Sequence, residues 1–145
     1  MVIMSDVDEK KQKILSELAV ITSADDRYKY IIEMGRKLPS LTDQQRLDKF
    51  LVEGCMSRAW LVPEFRDGRI YFFVDSEAAI VKGIMAILVA VYSGNTPDEN
   101  LKLSPEFLKD GGITEHLSMN RRSGLSSVVK QIMLYSTAFK ALKKI

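Results

Sequence analysis

Apolar and polar residues in the first forty positions follow the period of an α-helix. Ile14, Leu15, Leu18 and Ile21 recur at the three- and four-residue spacing of one helical face, which predicts a first helix after Ser5. The polar stretch at residues 23–26 is typical of a helix N-terminus, so a second helix is predicted from there to Leu38, before Pro39. Residues 40–53 are polar and then mixed, which predicts a loop leading into a short strand.

From Met56 to Val74 the pattern changes to that of β-strands. Residues 60–62 and 70–74 are runs of β-branched and aromatic side chains on either side of Asp67-Gly68. An Asp-Gly pair between two such runs is a strong hairpin signal. The hairpin places Cys55 just before its first strand, at one end of a small antiparallel sheet.

Helical periodicity returns after the hairpin. Asp75 and Ser76 are predicted as caps of a helix from Glu77 to Ser93. That helix is apolar on nearly every side, so we expect it at the centre of the core. Gly94 ends it.

The last third of the chain predicts two short helices and one long one. The capping-box residues Thr96-Pro97-Asp98-Glu99 open the first short helix, Ser104-Pro105-Glu106 open the second, and Gly111-Gly112 break the chain. A long helix is predicted from about Arg122 to Lys143. Its expected core face consists of Leu125, Val128, Val129, Ile132, Met133, Phe139 and Leu142. The fold class is therefore α+β.

Composition indicates an ordinary globular protein. The chain has 145 residues, of which 46% are hydrophobic and 28% charged, so we expect one domain over residues 1–145. Residues 1–8 lack the pattern of a secretory signal, and the longest apolar run, residues 78–92, is shorter than the about 20 residues of a membrane span. An unpaired cysteine without an export signal fits a reducing compartment, so the cytoplasm is the expected location.

Positive charge is concentrated at the end of the chain. Residues 116–145 contain no acid and six bases, which are Arg121, Arg122, Lys130, Lys140, Lys143 and Lys144. Lysines in the last turns of a helix complement its dipole, and no nucleic-acid-binding motif accompanies them. Neither a nucleic-acid nor a membrane partner is expected.

Cys55 is the only cysteine. It cannot form an intramolecular disulfide or a four-cysteine metal site, so its chemistry involves either this thiol alone or a thiol of another molecule. Two interpretations stay open on local sequence. Cys55 is either a small buried hydrophobe or a nucleophile presented on a turn at Gly54, since glycine reaches positive φ at little cost.

Other chemistry is weakly indicated. The single histidine, His116, is too far along the chain from Cys55 to suggest a metal motif, and no phosphate-binding glycine loop occurs. A Cys55–His116 hydrolytic dyad is conceivable. Lys82, in an apolar helix, either extends to solvent or, like Arg121, lies near the thiol and favours the thiolate. Arg58 is either a solvated strand residue or a partner contact.

Four motifs, in order along the chain, together resemble the SufE/CsdE family of sulfur acceptors. The similarity extends from about Asp26 to the C-terminus. The motifs are Tyr28-x-Tyr30-Ile31-Ile32-Glu33-Met34-Gly35-x-x-Leu38-Pro39, Gly54-Cys55-x-Ser57-x-x-Trp60-Leu61, Asp75-Ser76-Glu77-Ala78-Ala79-Ile80-Val81-Lys82-Gly83 and His116-Leu117-x-x-x-Arg121-x-x-Gly124-Leu125.

This resemblance implies a sulfur-transfer accessory protein and not an enzyme. Members bind a cysteine desulfurase of the SufS or CsdA type, whose pyridoxal phosphate they do not hold themselves, and they stimulate it. They accept its persulfide sulfur and deliver it to iron–sulfur cluster assembly, where a scaffold complex is a further expected partner. No cofactor or metal is implied for the acceptor. The implied fold is a small curved antiparallel sheet of about three strands with helices on one side, similar to the scaffold protein IscU.

The resemblance also implies roles for individual residues. Cys55 is the implied acceptor, and the implied supporting residues are Gly54, Ser57, Trp60, Asp75, Lys82, His116 and Arg121. Two positions depart from the family pattern, because Met56 replaces a usual glutamine and Leu51 a usual asparagine. We therefore expect loop contacts, partner choice or exchange rate to differ. Two rival functions stay open: a hydrolase that uses Cys55 and His116, and a desulfurase-binding module that carries no sulfur.

Overall fold

The computed structural model describes residues 6–52, 57–113 and 119–143, and all statements below concern those residues. Along the chain, helices precede and follow a single β-hairpin. The elements are α1 (Asp6–Ala19), α2 (Ala24–Arg36), a 3-10 turn (Asp48–Phe50), β1 (Ala59–Arg66), β2 (Arg69–Ser76), α3 (Ala79–Tyr92), α4 (Pro97–Lys102), α5 (Phe107–Asp110) and α6 (Met119–Lys143).

Local hydrogen bonds begin the helices where the sequence predicts. Ser23 Oγ accepts the backbone N–H of Asp26 at 3.1 Å at the start of α2. Thr96 and Glu99 form the reciprocal capping box at the start of α4, with bonds of 3.2 and 2.8 Å. Such bonds satisfy N–H groups that have no partner within the helix, so these predictions are confirmed.

The predicted hairpin is also confirmed. Asp67 and Gly68 have φ angles of 53° and 78°, the pair of positive values that a tight two-residue turn between twisted strands requires. The antiparallel register places Trp60 opposite Asp75 and Leu61 opposite Val74.

The sheet is smaller than expected. The α+β class is confirmed, but the described residues contain two strands instead of about three. The predicted loop over residues 40–53 contains, up to Val52, the 3-10 turn and a single bridge from Leu51 to Trp60. Val52 adds a backbone hydrogen bond to Ala59, so the end of this loop lies alongside the start of β1.

The two faces of the sheet have different cover. Leu61, Phe72 and Val74 face the main core, which α3 fills with residues that are almost completely buried. Trp60 and Val62 lie on the opposite face and pack against Leu41 in a second small cluster. Helices therefore cover one face, as expected, and the loop before β1 covers part of the other.

Helices α2 and α3 cross at a pair of glycines. A Cβ atom added to Gly83 would lie 2.1 Å from the carbonyl oxygen of Ile31, and one added to Gly35 would lie 2.7 Å from the backbone nitrogen of Gly83. Glycine at both positions allows the two backbones to touch.

Two predictions about helix residues are wrong. Asp75 and Ser76 do not cap α3, which begins at Ala79 without a side-chain cap. Leu142 is 58% exposed, whereas Ile132 is completely buried. The last turn of α6 extends past its packing partners, which a periodic pattern alone does not reveal. No helix in the described part of the chain has the length and apolar character needed to cross a membrane.

Candidate functional site

The segment that contains Cys55 starts and ends at residues that are hydrogen-bonded to each other. The backbone N–H of Val52 donates to the carbonyl oxygen of Ala59 at 2.8 Å, and the Leu51–Trp60 bridge lies next to it. Cys55 lies between these partners in sequence, close to the first residue of β1. The candidate residues Gly54, Cys55 and His116 lie outside the described residues, as does Met56.

Asp75, at the end of β2, has four partners among the described residues. Its Oδ2 accepts the N–H of Leu41 at 3.1 Å and Nη2 of Arg46 at 2.7 Å. Its Oδ1 accepts the N–H of Ser76 at 2.9 Å and lies 3.4 Å from Nζ of Lys82. Asp75 is only 4% exposed, so a charge there needs these partners.

The surroundings of Asp75 keep it ionised. Burial opposes the charge, but the hydrogen bonds from Arg46, Leu41 and Ser76 and the charge of Lys82 outweigh it and lower the pKa of this carboxyl. Lys82 is 17% exposed in its side chain and points to this carboxylate instead of extending to solvent, so the first of its two interpretations is wrong. The Cys55 thiol lies outside the described residues, so the second interpretation, in which Lys82 lies near the thiol, stays a prediction.

Two arginines lie close to the indole ring of Trp60. The guanidinium carbons of Arg58 and Arg46 are 5.1 and 5.8 Å from the centre of the indole ring. Trp60 is 4% exposed, and its indole N–H has no acceptor among the described residues. These side chains border a depression of about 400 Å³, whose lining is Arg46, Arg58, Trp60, Asp75, Ser76 and Glu77.

The start of β1 is attached to the end of β2 beyond the regular ladder. The carbonyl oxygen of Arg58 accepts Ser76 Oγ at 2.9 Å and the N–H of Glu77 at 3.0 Å. The side chains of Arg58 and Glu77 are 3.7 Å apart and both 56% exposed, so this ion pair contributes little. Ser57 precedes Arg58 and is half-buried. The backbone bonds at Arg58 therefore hold the chain that leaves the Cys55 segment.

The structure brings together some of the predicted site residues and adds one. Lys82 contacts the carboxylate of Asp75, and Trp60 lies opposite Asp75 on the neighbouring strand. Arg121 belongs to α6, but its side chain lies outside the described part. Arg46 was not predicted, because an arginine in a polar loop gives no sign of a partner 29 positions away. No group of three His, Cys, Asp or Glu side chains in the described ranges is arranged to hold a metal ion.

Comparison with known proteins identifies the family. The family model described as SufE: Fe-S metabolism associated domain matches residues 12–136. The chain belongs to the SufE family. It is 34% identical over 125 residues to an uncharacterised SufE-like protein of Rhizobium meliloti (strain 1021), covering 83% of this chain and 89% of that one. The resemblance seen in the sequence is thereby confirmed, and SufE membership supports a role in iron–sulfur metabolism.

A solved structure shares the fold of this SufE-family chain. The solution structure of a hypothetical protein from Thermus thermophilus aligns with a TM-score of 0.75, covering 92% of this chain and 96% of that one. The two sequences are 20% identical, so this likeness concerns the fold alone.

Proposed function

We propose that this protein accepts sulfur on Cys55 from the persulfide of a pyridoxal-phosphate-dependent cysteine desulfurase and delivers it to iron–sulfur cluster assembly. The observation that supports this most directly is the position of the only cysteine in a SufE-family chain. Cys55 lies in the short segment between Val52 and Ala59, which are hydrogen-bonded at the end of the hairpin.

The transfer is a thiol exchange in which atoms and charge balance. The Cys55 thiolate attacks the outer sulfur of the desulfurase persulfide and forms a new S–S bond. The S–S bond of the donor breaks, and the desulfurase cysteine leaves as a thiolate. One sulfur atom moves between two cysteines without an external oxidant or reductant. Cys55 then holds the sulfur as a persulfide.

A single cysteine suits this chemistry. A second thiol in the same chain could attack the Cys55 persulfide, form a disulfide and release sulfide. The chain has no other cysteine to do so. In this proposal the protein is an accessory protein that stimulates a desulfurase of the SufS or CsdA type. A reducing compartment such as the cytoplasm would keep its thiol available.

Intact-mass analysis tests the proposal. The purified chain is incubated with a cysteine desulfurase and free cysteine, and the expected product is heavier by one sulfur atom that a reductant removes. Cys55→Ser should bind the desulfurase, gain no sulfur and fail to stimulate it. His116→Ala should still gain sulfur, whereas a Cys55–His116 hydrolase would depend on that histidine. An unmodified wild-type chain, tested against a desulfurase that it binds, would refute the acceptor role.

A further inference from the structure

The Asp75 carboxylate joins three parts of the chain that precede or follow Cys55 in sequence. Asp75 ends β2, and Lys82 belongs to the first turn of α3. Leu41 and Arg46 belong to the loop that leads toward Cys55. Arg46 and Lys82 provide the charges, and the N–H of Leu41 provides a further bond to Oδ2. A single buried carboxylate thus connects the loop before Cys55 to the strand and helix that follow it.

The loop before Cys55 is also attached to the sheet by an apolar cluster and by backbone contacts. Leu41, Trp60 and Val62 form a small apolar cluster, separate from the main core, to which Phe50 and Leu51 add partly buried surface. Backbone attachments among the described residues include the Leu51–Trp60 bridge and the Val52–Ala59 hydrogen bond. Arg46 is the charged side chain of this loop that forms an ion pair with the sheet in the described part of the chain.

Arg46 makes two contacts that attach the loop to the sheet. Its Nη2 lies 2.7 Å from Oδ2 of Asp75, the short distance of a charge-assisted hydrogen bond. Its guanidinium also lies 5.8 Å from the centre of the Trp60 ring. If Arg46 is removed, Asp75 keeps Lys82 and two backbone N–H donors. The carboxylate therefore stays paired, and the effect of the change is concentrated on the loop.

We propose that Arg46 is a positioning residue for sulfur transfer, which holds the chain before Cys55 against the hairpin through Asp75. This inference rests on the acceptor role of Cys55 proposed above. Exchange between two sulfurs requires the attacking thiolate to reach the persulfide of another protein in line with its S–S bond. A small displacement of one reacting group lowers such a rate strongly. Loss of Arg46 therefore slows the transfer step, while the Cys55 thiol itself is unchanged.

Single-turnover transfer separates positioning from docking. A desulfurase loaded with persulfide is mixed with increasing concentrations of wild type, Arg46→Ala or Arg46→Lys. For Arg46→Ala we expect the maximal rate to fall about tenfold, with the half-saturating concentration unchanged. Arg46→Lys keeps the positive charge near Asp75 and should recover most of the rate. Alkylation of Cys55 by iodoacetamide should proceed at the wild-type rate in all three proteins.

Two further variants show whether Arg46 acts through Asp75. In a protein that already carries Asp75→Asn, adding Arg46→Ala should slow transfer by less than about twofold. The reason is that the effects of two substitutions within one hydrogen-bond network are not additive. Lys140→Ala is the matched control, since it breaks a 2.7 Å ion pair to Asp98 between α6 and α4. That variant should transfer sulfur like the wild type.

The outcomes distinguish the two proposals. A wild-type chain that takes up no sulfur refutes the acceptor role itself. If the wild type takes up sulfur, an Arg46→Ala maximal rate close to wild type refutes the positioning role. The positioning role is also refuted if the loss of rate in Arg46→Ala equals its loss of folded protein, measured by circular dichroism. An Arg46→Lys variant that is as slow as Arg46→Ala refutes it as well.

Discussion

The glycine crossing of α2 and α3 allows a prediction whose sign depends on tertiary structure. Gly83→Ala is a change that normally stabilises a helix, because alanine exceeds glycine in helix propensity by about 1 kcal/mol. Here the new Cβ would lie 2.1 Å from the carbonyl oxygen of Ile31 and 2.7 Å from its carbonyl carbon. These are backbone atoms, which cannot rotate away as a side chain can.

The free-energy cost of this clash exceeds the gain in helix propensity. Ordinary carbon–oxygen contacts are longer by more than 1 Å, so α2 and α3 must separate along the crossing at which they pack. Overpacking of a core typically costs about 1–3 kcal/mol and occasionally more, and a clash with backbone atoms belongs above that range, at about 3–4 kcal/mol. After the gain in propensity, we expect Gly83→Ala to lower the free energy of unfolding by about 2–3 kcal/mol. For a domain of this size that corresponds to a melting temperature about 6–12 °C lower.

Thermal and urea unfolding, followed by circular dichroism, measure this change. Ala90→Gly is the matched control, since Ala90 lies on the exposed side of the same helix. It exchanges the same two residue types in the opposite direction and should cost about 1 kcal/mol by propensity alone. A Gly83→Ala protein that is as stable as the wild type, or more stable, would show that the helices do not touch at this glycine.

Two other predictions concern a buried charge and a helix face. Asp75→Asn should lower the free energy of unfolding at pH 7 by about 2–3 kcal/mol, because it removes a partly buried charge network. The pKa of Asp75 is lowered in the folded state, so the stability that it adds is present above the unfolded pKa of about 3.9 and is lost as the pH falls below it. Urea titrations from pH 7 to pH 2 should therefore show a smaller acid-induced loss in Asp75→Asn, and equal losses would contradict the network. Ile132→Ala should cost about 2–4 kcal/mol in the same titrations, whereas Leu142→Ala should stay within about 0.5 kcal/mol because its side chain is 58% exposed.

Local chemistry in the sequence determined much of the secondary structure. The Ser23 cap, the Thr96–Glu99 capping box and the Asp67-Gly68 turn each depend on residues within about four positions of one another, so their patterns are legible without a fold. The position of Cys55 just before the predicted hairpin could likewise be read from the sequence alone. The four motifs were sufficient to indicate the SufE family, which the family model confirms.

Tertiary structure alone decided which distant side chains meet. Asp75 looked like a cap for α3, but its carboxylate instead bonds Leu41 and Arg46, which come from a loop more than twenty positions earlier. The exposed end of α6 has the same periodic pattern as its buried centre, but no other element among the described residues covers it. Propensity and capping act between neighbours in sequence, whereas burial and charge pairing depend on which segments the folded chain places side by side.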